Sequence, residues 1–371
     1  GTIDGDVYND GELLTMLEDV FGTITMGNFG SDLYLLNDGI TFDESNKSKI
    51  QTSGSTSTKL HLYGDIVSDT TLDYDGRVYL EGGAKLIKGE NGDAFQNASK
   101  LALQNSTATI STLNGVDDSL DYGNRLDVDS YSTLLMELDW TDKISAKETF
   151  VFGDAEISKL DIRNIAEGET STVIGDSLKS KVNINEIDLI TTKGMANSVS
   201  YDSATGTLTA ARIPNLADLI NTSDEAGNEN AYYNYAMESN EQGSATSNII
   251  GNIKVSGQGN TLEKVGLTVG DTATDKSGNI ILKDANISNV STTGTNMGAI
   301  TVQKNSHVSI QAGDHDVTLS GTNGANKNII YLADEGGATA SFEAEEGRTI
   351  TINDDIRSGN SNNRVFFNGG T

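Results

Sequence analysis

The chain has 371 residues, with 54 Asp and Glu against 25 Lys and Arg, a net charge of -29, 40 Gly, one Pro (Pro214) and no Cys. Such a charge excludes a nucleic-acid face, which needs clustered cations, and speaks against contact with an anionic membrane surface. Without Cys, neither a disulfide framework nor a thiolate metal site can exist.

No run approaches the roughly 18 apolar residues of a membrane helix, and the start GTIDGDVYNDG has neither the basic nor the apolar part of a secretion signal. The expectation is a soluble piece, processed from a precursor, with no direct insertion into a membrane. From Gly11 to Phe21, GELLTMLEDVF places Leu13, Leu14, Leu17, Val20 and Phe21 at offsets of three and four. With Asp10 as N-cap and Gly22 as stop, that spacing predicts a short amphipathic helix.

Strand candidates follow from Thr23 to Thr112: TITMG, LYLLND, KLHLYGDIV, RVYLEGGAKLI, KLALQN and ATISTL. A second block, Arg125 to Ala210, has longer ones, such as STLLMELDW and NINEIDLITT. Between Ile213 and Asn240 the spacing of Leu216, Leu219 and Ile220 predicts a helical excursion reaching Ala236, with Tyr232, Tyr233 and Tyr235 along it. From Asn252 to Thr371 come very short alternating strands, among them NIKVSG, NIILKD, HVSIQ, NIIYLAD and RVFFNGG, each ended by Gly, Asn, Asp or Ser.

A strand of this kind offers one narrow apolar edge and one polar edge, too little for a core unless many segments stack. The fold class expected is therefore all-β, a parallel β-helix or β-solenoid with short helical excursions and roughly 20 to 25 residues per turn. The expected organisation is a solenoid over 1–212 with the helix near 11–21, a helical excursion or linker over 213–248, and a second solenoid over 249–371. Asn-rich turns are expected to satisfy themselves through positive φ and amide ladders between turns.

Catalytic constellations are not evident. There is no nucleophile elbow, HExxH, P-loop or dinucleotide fingerprint, and the paired motifs of polygalacturonase-like β-helices are missing. Of the three histidines, His61 in KLHLYGD alternates with Leu60 and Leu62 and is expected on the outer polar face, whereas His307 opens the strand HVSIQ and reads as a turn-edge residue. Asp314-His315-Asp316 is the one cluster that looks like a site, its carboxylates able to orient an imidazole or share a cation. Asp4 and Asp6 offer oxygens near the N-terminus without the order of an EF-hand loop. No cofactor is expected; Ca2+ is the ion these weak candidates could hold.

The segments SNVSTTGTNMGAITVQKNSHVSI, TITINDDIRSGNSNNRVFFNGG and SVSYDSATGTLTA resemble the passenger regions of Gram-negative autotransporter adhesins, in which a GAI-type turn-strand and a TINDDI phrase ending in FNG recur. MELDWTDKISAKETFVFGDAEISKLDIRNI resembles the late stretch of such passengers, yet it precedes the early-type strands, and the translocator barrel of the family is not in this sequence. The resemblance implies a right-handed parallel β-helix. It also implies a non-enzymatic, extracellular cell-surface or secreted adhesin, binding a host or bacterial surface protein or glycan, or itself. Polysaccharide binding or cleavage is the alternative, and a surface-layer, stalk or filament subunit the second alternative.

Overall fold

A computed structural model describes residues 1–27, 30–70, 74–89, 98–111, 126–140, 149–166, 168–172, 182–184, 187–226, 231–288, 298–320 and 328–369. Among them the chain is all-β with mostly parallel pairing, and it forms two compact units. The first comprises Gly1–Leu160, Ser171–Ile187 and Ser203–Thr207. The second comprises Asp161–Thr170, Asp188–Asp202 and Leu208–Thr371. Among the described residues no helix is long and apolar enough to cross a membrane.

In the first unit the chain visits its sheets in rotation. One sheet pairs Val7–Asn9, Ile24–Met26 and Ile50–Thr52. A second runs through Glu12–Thr15, Asp32–Leu35, Lys59–Leu62, Arg77–Glu81, Lys100–Gln104, Leu126–Val128 and Thr149–Val151. A third contains Ile40–Phe42, Asp65–Ser68, Lys85–Lys88, Thr107–Ser111 and Thr133–Asp139. These pairs are parallel and in register. A return to the second sheet takes 18 residues between Lys59 and Arg77, 23 between Arg77 and Lys100 and 27 between Asp32 and Lys59.

Alternation then decides what faces the core. Leu33, Leu60, Val78, Leu101 and Leu126 stand one above another, and Leu35, Leu62, Leu80, Leu103 and Val128 form the neighbouring column, all buried. Each such side chain contributes about 1.5–3 kcal/mol of burial, which no isolated four-residue strand could collect.

The second unit repeats the scheme. Ser198–Asp202 pairs antiparallel with Tyr232–Ala236, after which Gly251–Ser256, Gly278–Lys283, His307–Ala312, Thr339–Ala344 and Arg364–Asn368 add in parallel. The long strand Thr261–Val269 serves two further sheets. Its first half pairs Asn286–Ser288 and its second half Ile300–Val302. The corner between the halves is made by Lys264 at φ 51°, the left-handed region, followed by Gly266. Val255, Leu282, Ile310 and Phe342 stack through the core.

Two helix expectations change. Gly11–Phe21 is not a helix: Glu12–Thr15 is a strand paired with Asp32–Leu35, and only Leu17–Asp19 turns, as a single 3-10 turn. Pairing in the sheet separates the would-be stripe, so Leu17 and Val20 are buried while Leu14 and Phe21 are exposed. Gly22 is not a helix stop either, because a Cβ there would lie 2.4 Å from the Gly5 carbonyl carbon; its role is close chain approach. The expected excursion at Ile213–Ala236 is a helix only over Leu216–Ala226, within the second unit, and Tyr232–Ala236 is a strand of its sheet. The Asn-rich turn GTNG, at 321–324, lies outside the described residues.

Candidate functional site: the outer face around His61

Residues that alternate with the buried leucines of the first unit's second sheet face outward in columns. Glu12, Asp32, Lys59, Arg77 and Lys100 make one column. Leu14, Tyr34, His61, Tyr79 and Ala102 make the next. Strand spacing of about 4.8 Å brings flat rings in such a column nearly into contact. Accordingly His61 stacks on Tyr34 at 4.2 Å and 12° and on Tyr79 at 5.0 Å and 13°. Lys100 reaches over the far side of Tyr79, its Nζ 5.9 Å from the ring centroid.

In the ring plane, His61 lies between two carboxylates. Its Nε2 is 3.3 Å from Asp32 Oδ1 and its Nδ1 3.2 Å from Glu81 Oε2. Neutral imidazole donates to one of them and imidazolium to both. Asp32 also pairs with Lys59 Nζ at 3.1 Å, and the Tyr63 hydroxyl donates to Glu81 Oε2 at 2.7 Å. Burial and the Glu81 carboxylate push the Tyr63 phenol up to about 12. Burial raises the Tyr34 phenol too, helped by the negative field of Asp32, Glu12 and Glu81.

This arrangement has the ingredients of hydrolytic chemistry in a form that resists it. Two carboxylates separated for glycosidic cleavage need an open floor between them for a glycosidic oxygen or a water. Here the gap holds His61, which is 7% exposed, and both faces of its ring are covered by tyrosines. His61 does face outward, as its alternation implies, but its neighbours above and below bury it. What the cluster can do is hold a flat, hydrogen-bonded surface rigid.

The second unit's outer face is similarly self-paired. His307 has Nδ1 2.7 Å from Thr339 Oγ1 and Nε2 3.1 Å from Ser341 Oγ. It opens the strand His307–Ala312 at the edge of the preceding turn, as expected, and its side chain finds both partners on the next strand. Asp188 accepts from Lys254 Nζ at 2.8 Å and Lys283 Nζ at 2.7 Å. Burial raises the Asp188 carboxyl, but the two ammonium groups outweigh it and hold the group below the usual carboxylate range.

The residues singled out for metal lie elsewhere and do not converge. The turn containing Asp314, His315 and Asp316 wraps around the buried Asp284, whose carboxylate accepts the N–H groups of Gly313 at 2.8 Å, Asp314 at 3.1 Å and His315 at 3.0 Å. The His315 ring lies against Gly259, and Asp316 accepts the Thr349 N–H at 2.9 Å. Asp6 accepts the Thr23 N–H at 2.8 Å, and Asp4 is exposed. Among the described residues no group of three or more His, Asp or Glu side chains is placed to hold a metal.

The ladder around His61 has a sequence signal that a search for known motifs misses. Aligning DLYL (32–35), KLHL (59–62), RVYL (77–80) and KLAL (100–103) puts Tyr, His, Tyr and Ala at one offset. The offset becomes meaningful only once the parallel register is known. Compared with family models, curated proteins and solved structures, the chain finds no match in any of the three.

Proposed function

We propose that this chain is a right-handed parallel β-solenoid acting as a non-enzymatic surface adhesin of the autotransporter-passenger type, which binds host or neighbouring-cell ligands through its outward columns. The observation that carries the reading is the register of those columns. Seven parallel strands of the first unit set outward side chains about 4.8 Å apart over roughly 30 Å, a repeating surface suited to many weak contacts. Self-pairing of Asp32, His61 and Glu81 supports a preformed binding surface, since such a face loses little freedom when a partner lands on it.

The location proposed with this function is the bacterial cell surface or the extracellular medium, and the partners are a surface protein or glycan, or another copy of the chain. The test is attachment of beads coated with the purified chain to host cells and to bacteria, with a reducing-end assay on acidic and neutral polysaccharides run beside it. Attachment above uncoated beads, without polysaccharide cleavage, is the expected outcome. Cleavage, or no attachment to any cell type, overturns the adhesin reading.

A second reading, polysaccharide binding, is favoured by Tyr131 and Phe152. Phe152 donates its N–H to Val128 O, so the two aromatics sit on successive passes of the chain at one edge, and both are highly exposed. Unlike the rings of the His61 stack, open rings of this kind can meet the apolar face of a sugar.

A further inference from the structure

The outer face of the first unit changes character at the strands Glu12–Thr15 and Asp32–Leu35. Leu14 stands beside Tyr34 in the aromatic column, and Met16 and Leu36 follow the paired residues Thr15 and Leu35. Their exposures are 55% for Leu14, 41% for Met16 and 48% for Leu36, so three aliphatic side chains lie open on one face. Tyr34 and Tyr63, both half-buried, continue the patch toward His61.

An independent feature surrounds it. Residues 1–46 carry ten Asp and Glu and no Lys, Arg or His. The nearest cations are already engaged: Lys47 pairs with Glu44, Lys49 Nζ donates to Leu17 O at 2.6 Å, and Lys59 pairs with Asp32. Glu12, Glu18 and Asp38 remain exposed at the rim, and Glu12 belongs to the negative field that raises the Tyr34 phenol. An aliphatic patch whose exposed rim charges, Glu12, Glu18 and Asp38, are acidic has a definite complement. Apolar area supplies affinity at the centre, and charges of opposite sign at the rim steer the partner and fix its register.

We infer that Leu14, Met16 and Leu36, with Glu12 and Asp38 at their rim, form a docking site for a basic amphipathic segment of a partner protein, one that alternates Lys or Arg with aliphatic residues. A neutral glycan fits less well, because the open side chains here are aliphatic and the Tyr34 ring beside them is stacked on His61. The inference rests on the reading of this face as a binding surface, and it adds the chemical class of the partner.

Its test is calorimetric titration of the full chain with three synthetic twelve-residue peptides, alternating Lys-Leu, Lys-Ser and Glu-Leu. The Lys-Leu peptide is expected to bind at least about tenfold more tightly than either of the others, with an affinity that falls as salt is raised. The double substitution Leu14→Gln and Leu36→Gln, at exposed positions, is expected to remove that advantage without changing Lys-Ser binding or Tm. Glu12→Gln with Asp38→Asn is expected to weaken the salt dependence. Equal binding of Lys-Leu and Lys-Ser peptides, an undiminished Lys-Leu affinity in the Leu14/Leu36 variant, or concentration-dependent self-association abolished by that variant would each overturn the inference. Cell attachment by coated beads is scored separately: beads that attach while the peptides fail to discriminate sink the docking site alone, and the reverse result sinks the adhesin reading alone.

Discussion

Asn363 shares its amide hydrogens among Leu332 O at 3.2 Å, Ala333 O at 2.8 Å and Ser358 Oγ at 3.1 Å, while its Oδ1 accepts the Ala338 N–H at 3.0 Å. Asn286 works in the same way, donating to Gly259 O at 3.0 Å and accepting from Thr318 N at 2.8 Å, which ties one pass of the chain to those on either side. An amide-to-amide contact joins Asn279 to Asn252 at 3.4 Å, but on paired strands; the turn residues Asn360 and Asn363 bond mainly to backbone. A parallel stack leaves turn N–H and C=O groups that no strand can pair, and Asn brings donor and acceptor in one short side chain. Asn363→Ala should therefore cost about 2 kcal/mol, because it strands buried backbone groups as well as losing bonds. Asn363→Asp should cost a similar amount, since the acceptor stays and the donor goes; urea unfolding of both variants is the measurement.

His307 supplies a pH prediction at the same scale. Burial lowers its pKa from the ordinary value, outweighing the opposing field of Glu343 and the hydrogen bond involving Thr339. The unfolded chain thus binds the proton at a higher pH than the folded one, so stability rises with pH through this window. The contribution is complete above about 6.5 and is lost as the pH falls toward the lowered folded value. His307→Gln should flatten the Tm profile between about pH 7 and 5, and a profile as steep as the parent's would show that the sensitivity lies in other groups.

At the scale of elements, the strand Asp188–Ile190 is fastened to the second unit's main sheet by one carboxylate facing two lysines on neighbouring strands. Lys254 is the vulnerable partner, its side chain only 4% exposed. Asp188→Asn leaves that ammonium buried beside a second one and should destabilise by about 2–3 kcal/mol, less than for a wholly buried pair because Asp188 itself is partly exposed. Adding Lys254→Met should recover most of the loss, since an apolar side chain of similar length needs no counter-charge. If the double variant is no more stable than Asp188→Asn alone, charge burial is not the cause. A long-range fastening of this kind is illegible in sequence, because Asp188 and Lys283 are brought together by register and by nothing local.

Strand identity was more legible than local exceptions. NIILKD, HVSIQ and RVFFNGG all emerge as strands because alternation is a property of the segment itself. GELLTMLEDVF misleads because Leu13, Leu14 and Leu17 satisfy helical spacing while a partner, Asp32–Leu35, claims Glu12–Thr15 for the sheet. YYNYA misleads likewise, because it follows the helical spacing of Leu216, Leu219 and Ile220, yet its register with Gly251–Ser256 is that of a regular parallel pair.

For the molecule as a whole, the balance of 25 cations against 54 anions sets the dominant long-range force. Composition showed this force directly, whereas the His61 face could be assembled only after residues 18 to 27 apart were superposed by the parallel register. Close ion pairs such as Lys88 and Lys159 with Glu137, at 3.1 and 2.9 Å, relieve the excess negative charge only locally. Raising NaCl from 0.01 to 0.15 M shortens the screening length from about 30 to 8 Å. Two effects then oppose each other. Self-repulsion among the 29 uncompensated charges weakens, which stabilises the compact state, while exposed ion pairs worth at most about 1 kcal/mol each weaken too. Repulsion should win, because it acts among many charges spaced within the longer screening length, and the expected gain is about 1 kcal/mol, or a Tm rise of ~1–2 °C. KCl should reproduce it. A larger rise in CaCl2 at equal ionic strength, abolished by Asp314→Asn with Asp316→Asn or by Asp4→Asn with Asp6→Asn, would assign a specific cation site to that pair. A fall in Tm with NaCl would mean instead that the ion-pair staples outweigh the net charge.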